Sequence, residues 1–289
     1  MRNAARDPSS RRKRPLSVWE LPSRLKSLAD HRKSPPQNEK ERLHYPPILA
    51  FVHRNRFCVA SQVQRRFSDK LRSDRTTRRH LTELEALGYL DVAPTCNTSP
   101  LWPKVYFVTR RGVTRLKRAY AERGKEWKPS VIDRRRNEGT TAVHVVHEVL
   151  LTEFLLDVRL TIDRRPDLEL LQTERRSLAT HKDFRIGLDG RQTRLWPDAM
   201  FLFRQNGQGM MCCFIELDTG TMSKRQLSQK LRRYWSWSES GSGQRYLTDM
   251  YRRYGSTRPK ANFRLLFVVG VSDGGFQRRV EDVLEVASN

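Results

Sequence analysis

Three acids in the C-terminal half are spaced for metal-assisted phosphodiester chemistry. Asp198 follows Pro197 at the head of the run PDAMFLF, and the run CCFIELD ends with Glu216 and Asp218. Side chains two apart on a strand share a face, so Glu216 and Asp218 are expected to point the same way, with a neighbouring strand bringing Asp198 beside them. Carboxylates held together repel one another unless a cation lies between them, and hard oxygen donors suit Mg²⁺ or Mn²⁺. Such an ion activates water and steadies the charge that builds on a phosphodiester. Asp198, Glu216 and Asp218 are therefore the expected metal ligands. A plainer reading also accounts for them: Asp198 caps a strand turn, and Glu216 and Asp218 pair with Arg232 or Arg233.

A second constellation is basic. In SDRTTRRHLTELEALGYL, residues 73–90, Ser73 or Asp74 is a good helix N-cap. Leu81, Leu84 and Leu87 recur at helical spacing, and Gly88 suits the helix end. The first turns hold Arg75, Thr76, Thr77, Arg78 and Arg79. Recognition helices carry short polar and basic side chains there, where Arg reaches a guanine edge or a phosphate. Lys104, Arg110 and Arg111 are expected to straddle the DNA backbone alongside. Surface charges on a helical domain used for protein contacts would look similar, but residues 46–128 hold 18 Lys and Arg against 7 acids. That local excess favours DNA.

Other reactive residues have simpler roles. His144, His147 and Glu148 lie three to four apart, on one face of an apolar helix. They are expected to be hydrogen-bonded packing residues, with metal ligation or a place in the carboxylate site as the alternative. Cys212 and Cys213 are adjacent on a strand, so they face opposite ways and are expected to be buried thiols. Cys58 and Cys96 complete the cysteines; no CxxC pair or disulfide framework is present. Tyr234, Trp235 and Trp237 sit beside basic residues, as base-stacking groups do, and helix-to-sheet packing explains them equally.

The elements that must position these residues fall into two groups. Residues 1–44 are Arg-, Ser- and Pro-rich and read as a disordered basic tail. Residues 45–121 then give helix (46–54), helix (59–67), helix (73–88), two β-prone runs (Tyr89–Val92 and Val105–Val108) and a helix (109–120), the order of a winged helix-turn-helix. Residues 122–139 are charged and aperiodic and read as a linker. Residues 140–289 open with a helix that is apolar nearly all round. Strands near 168–175, 198–203 and 211–218, a polar helix over 223–237, a strand at 265–271 and a final helix follow. The expected fold class is α+β or α/β: a winged helix-turn-helix followed by a mixed domain. The chain carries 56 Lys and Arg against 32 Asp and Glu, a net charge of +24. That footprint fits a polyanion, double-stranded DNA before a membrane surface. No run approaches the ~20 apolar residues of a membrane helix. A cytoplasmic, nucleoid- or plasmid-associated location is expected.

Pro-Asp, a spacer and Glu-x-Asp at a strand end resemble the PD-(D/E)xK nuclease superfamily, as does the element order. PDAMFLF, FIELDTGT and LSQKLRRY together resemble the replication-relaxation family of plasmid and mobile-element proteins, over residues 45–270. The resemblance implies a nuclease-like C-terminal domain, with Asp198 and Glu216 as metal carboxylates. The superfamily's lysine belongs two residues after that Glu, where this chain has Asp218. The resemblance then implies that Lys230 reaches in from the next helix as the third catalytic residue, ahead of Lys224, with Glu174 or Glu148 as a further acid. The function it implies is replication, relaxation or mobilisation of plasmid or mobile-element DNA, with replication or mobilisation proteins as partners. An active Mg²⁺- or Mn²⁺-dependent endonuclease or nickase is the alternative, and a non-catalytic transcriptional regulator the second.

Overall fold

The computed structural model describes residues 45–93, 103–126, 141–175, 184–188, 191–206, 209–255, 263–270 and 276–288. The expected tail over 1–44, most of the expected linker and Cys96 lie outside the described residues.

The N-terminal half builds from short elements with explicit boundaries. Helix α1 (Tyr45–Asn55) starts with Pro46 and Pro47 in its first turn, where a missing N–H costs nothing. Strand β1 (Cys58–Val59) leads into α2 (Ala60–Arg66), whose first turn is closed by Gln62 accepting from the Val59 amide at 3.1 Å. Helix α3 (Asp74–Ala86) is capped by Ser73, which accepts from the Thr76 amide at 3.1 Å. Gly88 ends it with a φ of 71° that L side chains rarely adopt. Strands β2 (Leu90–Val92) and β3 (Val105–Val108) pair antiparallel, and β1 adds to β3, giving the order β1-β3-β2. Helix α4 (Arg110–Ala121) begins after Thr109, whose hydroxyl accepts from the Gly112 amide at 3.1 Å. A Cβ at Gly112 would stand 2.2 Å from the Tyr89 carbonyl oxygen, so only glycine lets α4 lie this close to the strands. Ile48, Leu49, Val52, Val63, Leu81, Leu84, Leu90 and Leu116 form the core between these elements.

The C-terminal half is a sheet covered on both faces. Strands β4 (Leu168–Arg175), β7 (Ala199–Gln205), β8 (Gly209–Asp218) and β9 (Phe263–Val269) lie in the order β4-β7-β8-β9. The first two pairings are antiparallel and β8–β9 is parallel. A separate hairpin joins β5 (Arg185–Leu188) and β6 (Arg191–Arg194). Helix α5 (Ala142–Asp163) covers one face, packing Leu151 and Leu155 on Ala199, Phe201, Cys213, Ile215 and Leu217. Helices α6 (Lys224–Glu239) and α7 (Gly241–Arg253) cover the other, with Tyr234, Trp237, Leu247 and Met250 against Met200, Leu202, Cys212 and Phe214. Helix α8 (Phe276–Ser288) closes the described chain. The fold is thus mixed α+β. Cys212 and Cys213 do divide between the two faces, and burial pushes both thiols up, Cys213 to about 11.

Helix α5 corrects an expectation. It is not apolar-buried all round: Val143 is exposed, while Glu148 and Thr152 are buried. The reason is a second partner. Val145 packs with Phe57, Val59, Val105 and Phe107 of the N-terminal half. Gln62 donates to the Val149 carbonyl at 2.9 Å, and Arg65 of α2 meets Glu153 and Asp157. At the centre, Arg175 at the end of β4 donates to Glu148 at 2.9 Å, to the Asn55 carbonyl at 3.0 Å and to Thr152 at 3.0 Å. Arg56, in the turn after α1 with φ 67°, stands 3.7 Å from Glu148.

Removing one partner of a buried ion pair strands the other charge, at about 3–5 kcal/mol. Arg175→Met is expected to lower unfolding stability by that order in urea titrations. Arg175→Met with Glu148→Gln is expected to cost less than the two single changes together. Strict additivity would contradict the coupling.

Candidate functional site

The carboxylates gather at one end of the central strand pair. Ala199 of β7 faces Ile215 of β8, and the Asp198 amide extends the ladder by donating to the Ile215 carbonyl at 3.0 Å. Asp198 therefore lies across from Glu216. Its Oδ2 accepts from the Leu217 amide at 2.9 Å. His147 of α5 brings Nε2 to 3.4 Å from the same oxygen and 3.2 Å from the Leu217 carbonyl.

Glu216 points to the face of the sheet that α6 covers and is fully buried. One of its oxygens forms an ion pair with Lys230 of α6. The other accepts from the Tyr234 hydroxyl at 2.5 Å. Lys230 and Tyr234 are four apart, so a single helix face delivers both. Lys230 also acts electrostatically on Asp198. Lys230 thus contacts Glu216, and Asp198 stands near enough for its charge and theirs to influence one another.

The two carboxyls differ in protonation. Burial is the largest influence on Asp198 and works against its charge, but the His147 hydrogen bond and the Lys230 charge outweigh it and hold the group at about 2. Burial dominates Glu216 and raises it to about 8, despite the Lys230 charge. The Asp198 charge adds to that rise.

Asp218 is the correction. It shares the Glu216 face, as expected, but its carboxylate is taken by Arg279 of α8 and by the Gly220 amide at 2.9 Å. Among the described residues, no group of three His, Cys, Asp or Glu side chains stands ready to hold a metal. The expected set Asp198, Glu216 and Asp218 reduces to Asp198 and Glu216. The remaining acids and lysine are engaged elsewhere. Glu148 is held by Arg175, Glu174 accepts from Gln172, and Lys224 binds Asp282 at 3.0 Å and Glu285 at 2.8 Å. Arg232 and Arg233 do not pair with Glu216 or Asp218; Lys230 and Arg279 do.

Sequence reasoning favoured packing for His147, with metal ligation or a place in the carboxylate site as the alternative, and missed Arg279. His147 had the right signal, an imidazole on an apolar helix. Arg279 had none, since it lies 61 residues from its partner. Tyr234 and Trp237 are core residues and are not free to stack on bases; Trp235 alone of the three is exposed.

At the other end of the chain, α3 presents Arg75, Arg78 and Arg79 to solvent. Thr76 is half-buried. Thr77 is a correction: it is fully buried and its hydroxyl donates to the Ser73 carbonyl at 3.1 Å, so it supports the helix start and cannot reach a ligand. Arg78 pairs with Asp74 at 2.8 Å and Arg79 with Glu83 at 3.9 Å, both exposed. Such pairs contribute little and yield to a stronger anion. Lys104 precedes β3 and lies 3.7 Å from Glu85. Arg110 and Arg111 are exposed in the first turn of α4, past the hairpin, and Arg111 stacks 5.6 Å from the Tyr89 ring centroid.

A small helical and stranded unit with an arginine-edged helix start, joined to a covered sheet that gathers two acids and a lysine, defines a two-part α+β protein. A family model described as Replication-relaxation matches residues 49–248, and the chain belongs to that family. Membership ties it to replication and relaxation. Neither the curated proteins nor the solved structures offer a match. Among the described residues no helix is long and apolar enough to cross a membrane.

The two carboxyls make stability pH-dependent in opposite senses. Glu216 holds its proton more tightly folded than at its usual 4.5, so its contribution is present at low pH and fades as pH climbs through about 8. Asp198 contributes above its usual 3.8 and loses that as pH falls through about 2. Glu216→Gln is expected to flatten the stability decline between about pH 4.5 and 8 in urea titrations. An unchanged slope would contradict the assignment.

Proposed function

We propose that this protein is a DNA-binding replication-relaxation factor that reads duplex DNA with a winged helix-turn-helix over residues 45–121. The observation that carries this reading is the start of α3, where Arg75, Arg78 and Arg79 are solvent-exposed at a helix N-terminus. Helix N-termini favour phosphate through free amides and the dipole. Arg75 has no ion pair or hydrogen bond from its side chain among the described residues, so it is available to a base edge or a phosphate. Lys104, Arg110 and Arg111 extend the basic edge toward the flanking backbone. The C-terminal half would then act on the DNA that α3 has located, in replication, relaxation or mobilisation of plasmid or mobile-element DNA, alongside replication or mobilisation proteins.

A second reading, a metal-dependent endonuclease or nickase, is supported by the contact of Lys230 with Glu216 and the nearness of Asp198. A Mg²⁺ or Mn²⁺ ion held by Asp198 and Glu216 would activate water and neutralise charge at phosphorus. The protein's own groups have definite parts in this. His147 and the Leu217 amide fix the Asp198 carboxylate, Tyr234 fixes Glu216, and Lys230 supplies the positive charge that the Asp218 position does not.

Both readings have direct tests. Arg75→Ala with Arg78→Ala is expected to weaken duplex binding about tenfold or more in fluorescence anisotropy, and to lower the slope of log K against log salt by about 1–2. Unchanged affinity would remove α3 from the interface. Supercoiled plasmid with Mg²⁺ or Mn²⁺ is expected to be nicked by the parent and spared by Asp198→Ala and Lys230→Ala if the second reading holds. Nicking that persists in Asp198→Ala would sink it, since contamination would then be the simpler cause.

A further inference from the structure

We propose that the outward face of α6 is a second nucleic-acid contact, one for unpaired DNA, in which Trp235 stacks on a base while Arg225 and Arg232 hold adjoining phosphates. Arg225, Gln229, Arg232 and Trp235 are all exposed. Steps of four, three and three keep them on one side of the helix over ~15 Å. The other side buries Leu227, Tyr234 and Trp237. Trp235 is 72% exposed, more than any other large hydrophobic residue among those described.

One exposed apolar side chain is ordinary by itself; the neighbours set this one apart. Arg225 and Arg232 have no side-chain ion pair or hydrogen bond among the described residues. Several other cations in this half are committed, Lys224 to Asp282 and Glu285, Arg204 to Glu169, Arg165 to Asp167 and Arg252 to Asp249, while Arg253, Arg264 and Arg278 are uncommitted among the described residues but have no exposed aromatic beside them on their own elements. Two uncommitted guanidinium groups and an open indole on one face complement a polyanion that also offers flat apolar surfaces. Duplex DNA offers the phosphates but keeps its base faces stacked. An unpaired strand offers both.

The choice of DNA as partner rests on the reading above, but the contact is separate from α3 and fails separately. The test is fluorescence anisotropy of the full chain with a labelled single-stranded oligonucleotide and with the same sequence as a duplex. Trp235→Ala is expected to weaken single-strand binding about tenfold and leave duplex binding within about twofold. Trp235→Phe should recover part of the loss, because a ring still stacks. Arg225→Ala with Arg232→Ala should weaken single-strand binding and its salt dependence. Arg75→Ala with Arg78→Ala should do the reverse, weakening duplex binding and sparing the single strand. The proposal is overturned if Trp235→Ala leaves single-strand affinity unchanged or lowers both affinities equally. It also falls if Trp235→Ala abolishes self-association in sedimentation, which would assign the face to a second copy. Binding to duplex but not to single strands overturns this proposal alone; binding to neither overturns the DNA reading as well.

Discussion

The contact between the two halves centres on a buried charge pair of the C-terminal half, whose arginine also reaches Asn55 and whose carboxylate also faces Arg56. Glu148 and Arg175 meet where α5, the end of β4 and the turn after α1 come together. A buried pair of this kind contributes little beyond what an apolar contact of the same shape would, yet losing either partner is costly. Displacing the N-terminal half would leave Arg175 without the Asn55 carbonyl and Glu148 without Arg56. Two consecutive residues of α5 divide the work: Glu148 turns toward Arg175 and Arg56, while His147 turns toward Asp198 and Leu217. One rigid helix thus supports both the arginine-edged domain and the carboxylate site.

At that site the same buried setting drives two carboxyls in opposite directions. Asp198 keeps a charge because an imidazole, a backbone amide and an ammonium all favour it. Glu216 has lost all contact with solvent, and that burial holds its proton even with Lys230 beside it. Groups pushed apart in this way mark sites where acid and base roles are divided. Such separation also arises in structural ion pairs. The nuclease alternative proposed for this site rests on the contact of Lys230 with Glu216, not on the shifts.

Much of this arrangement was legible in the sequence. The α3 boundaries followed from Ser73 and Gly88, and the shared face of Glu216 and Asp218 followed from strand alternation. The opposite faces of Cys212 and Cys213 followed from the same rule. What could not be read was long-range partnership. Nothing local says that Arg279 would take Asp218 out of the carboxylate group, or that Glu148 would be buried against another half of the chain. Thr77 looked like a recognition residue because it sits among arginines, but the helical turn aims it inward. Strand β1 and the hairpin β5–β6 were missed because two and four residues carry too little periodicity. Helix α7 was missed because Gly241 and Gly243 open it and mask its pattern. At Gly243 the Trp237 carbonyl lies too close for any Cβ.

The central claim is that duplex DNA is read by the start of α3. Hydrogen–deuterium exchange of the full chain, with and without a duplex, tests it most directly, since the first-turn amides of a helix have no intrahelical acceptors and exchange readily. The account expects DNA to slow exchange in peptides spanning residues 71–80 and in those spanning 104–112. Slowing confined to the C-terminal half, with the start of α3 unchanged at saturating duplex, would contradict it.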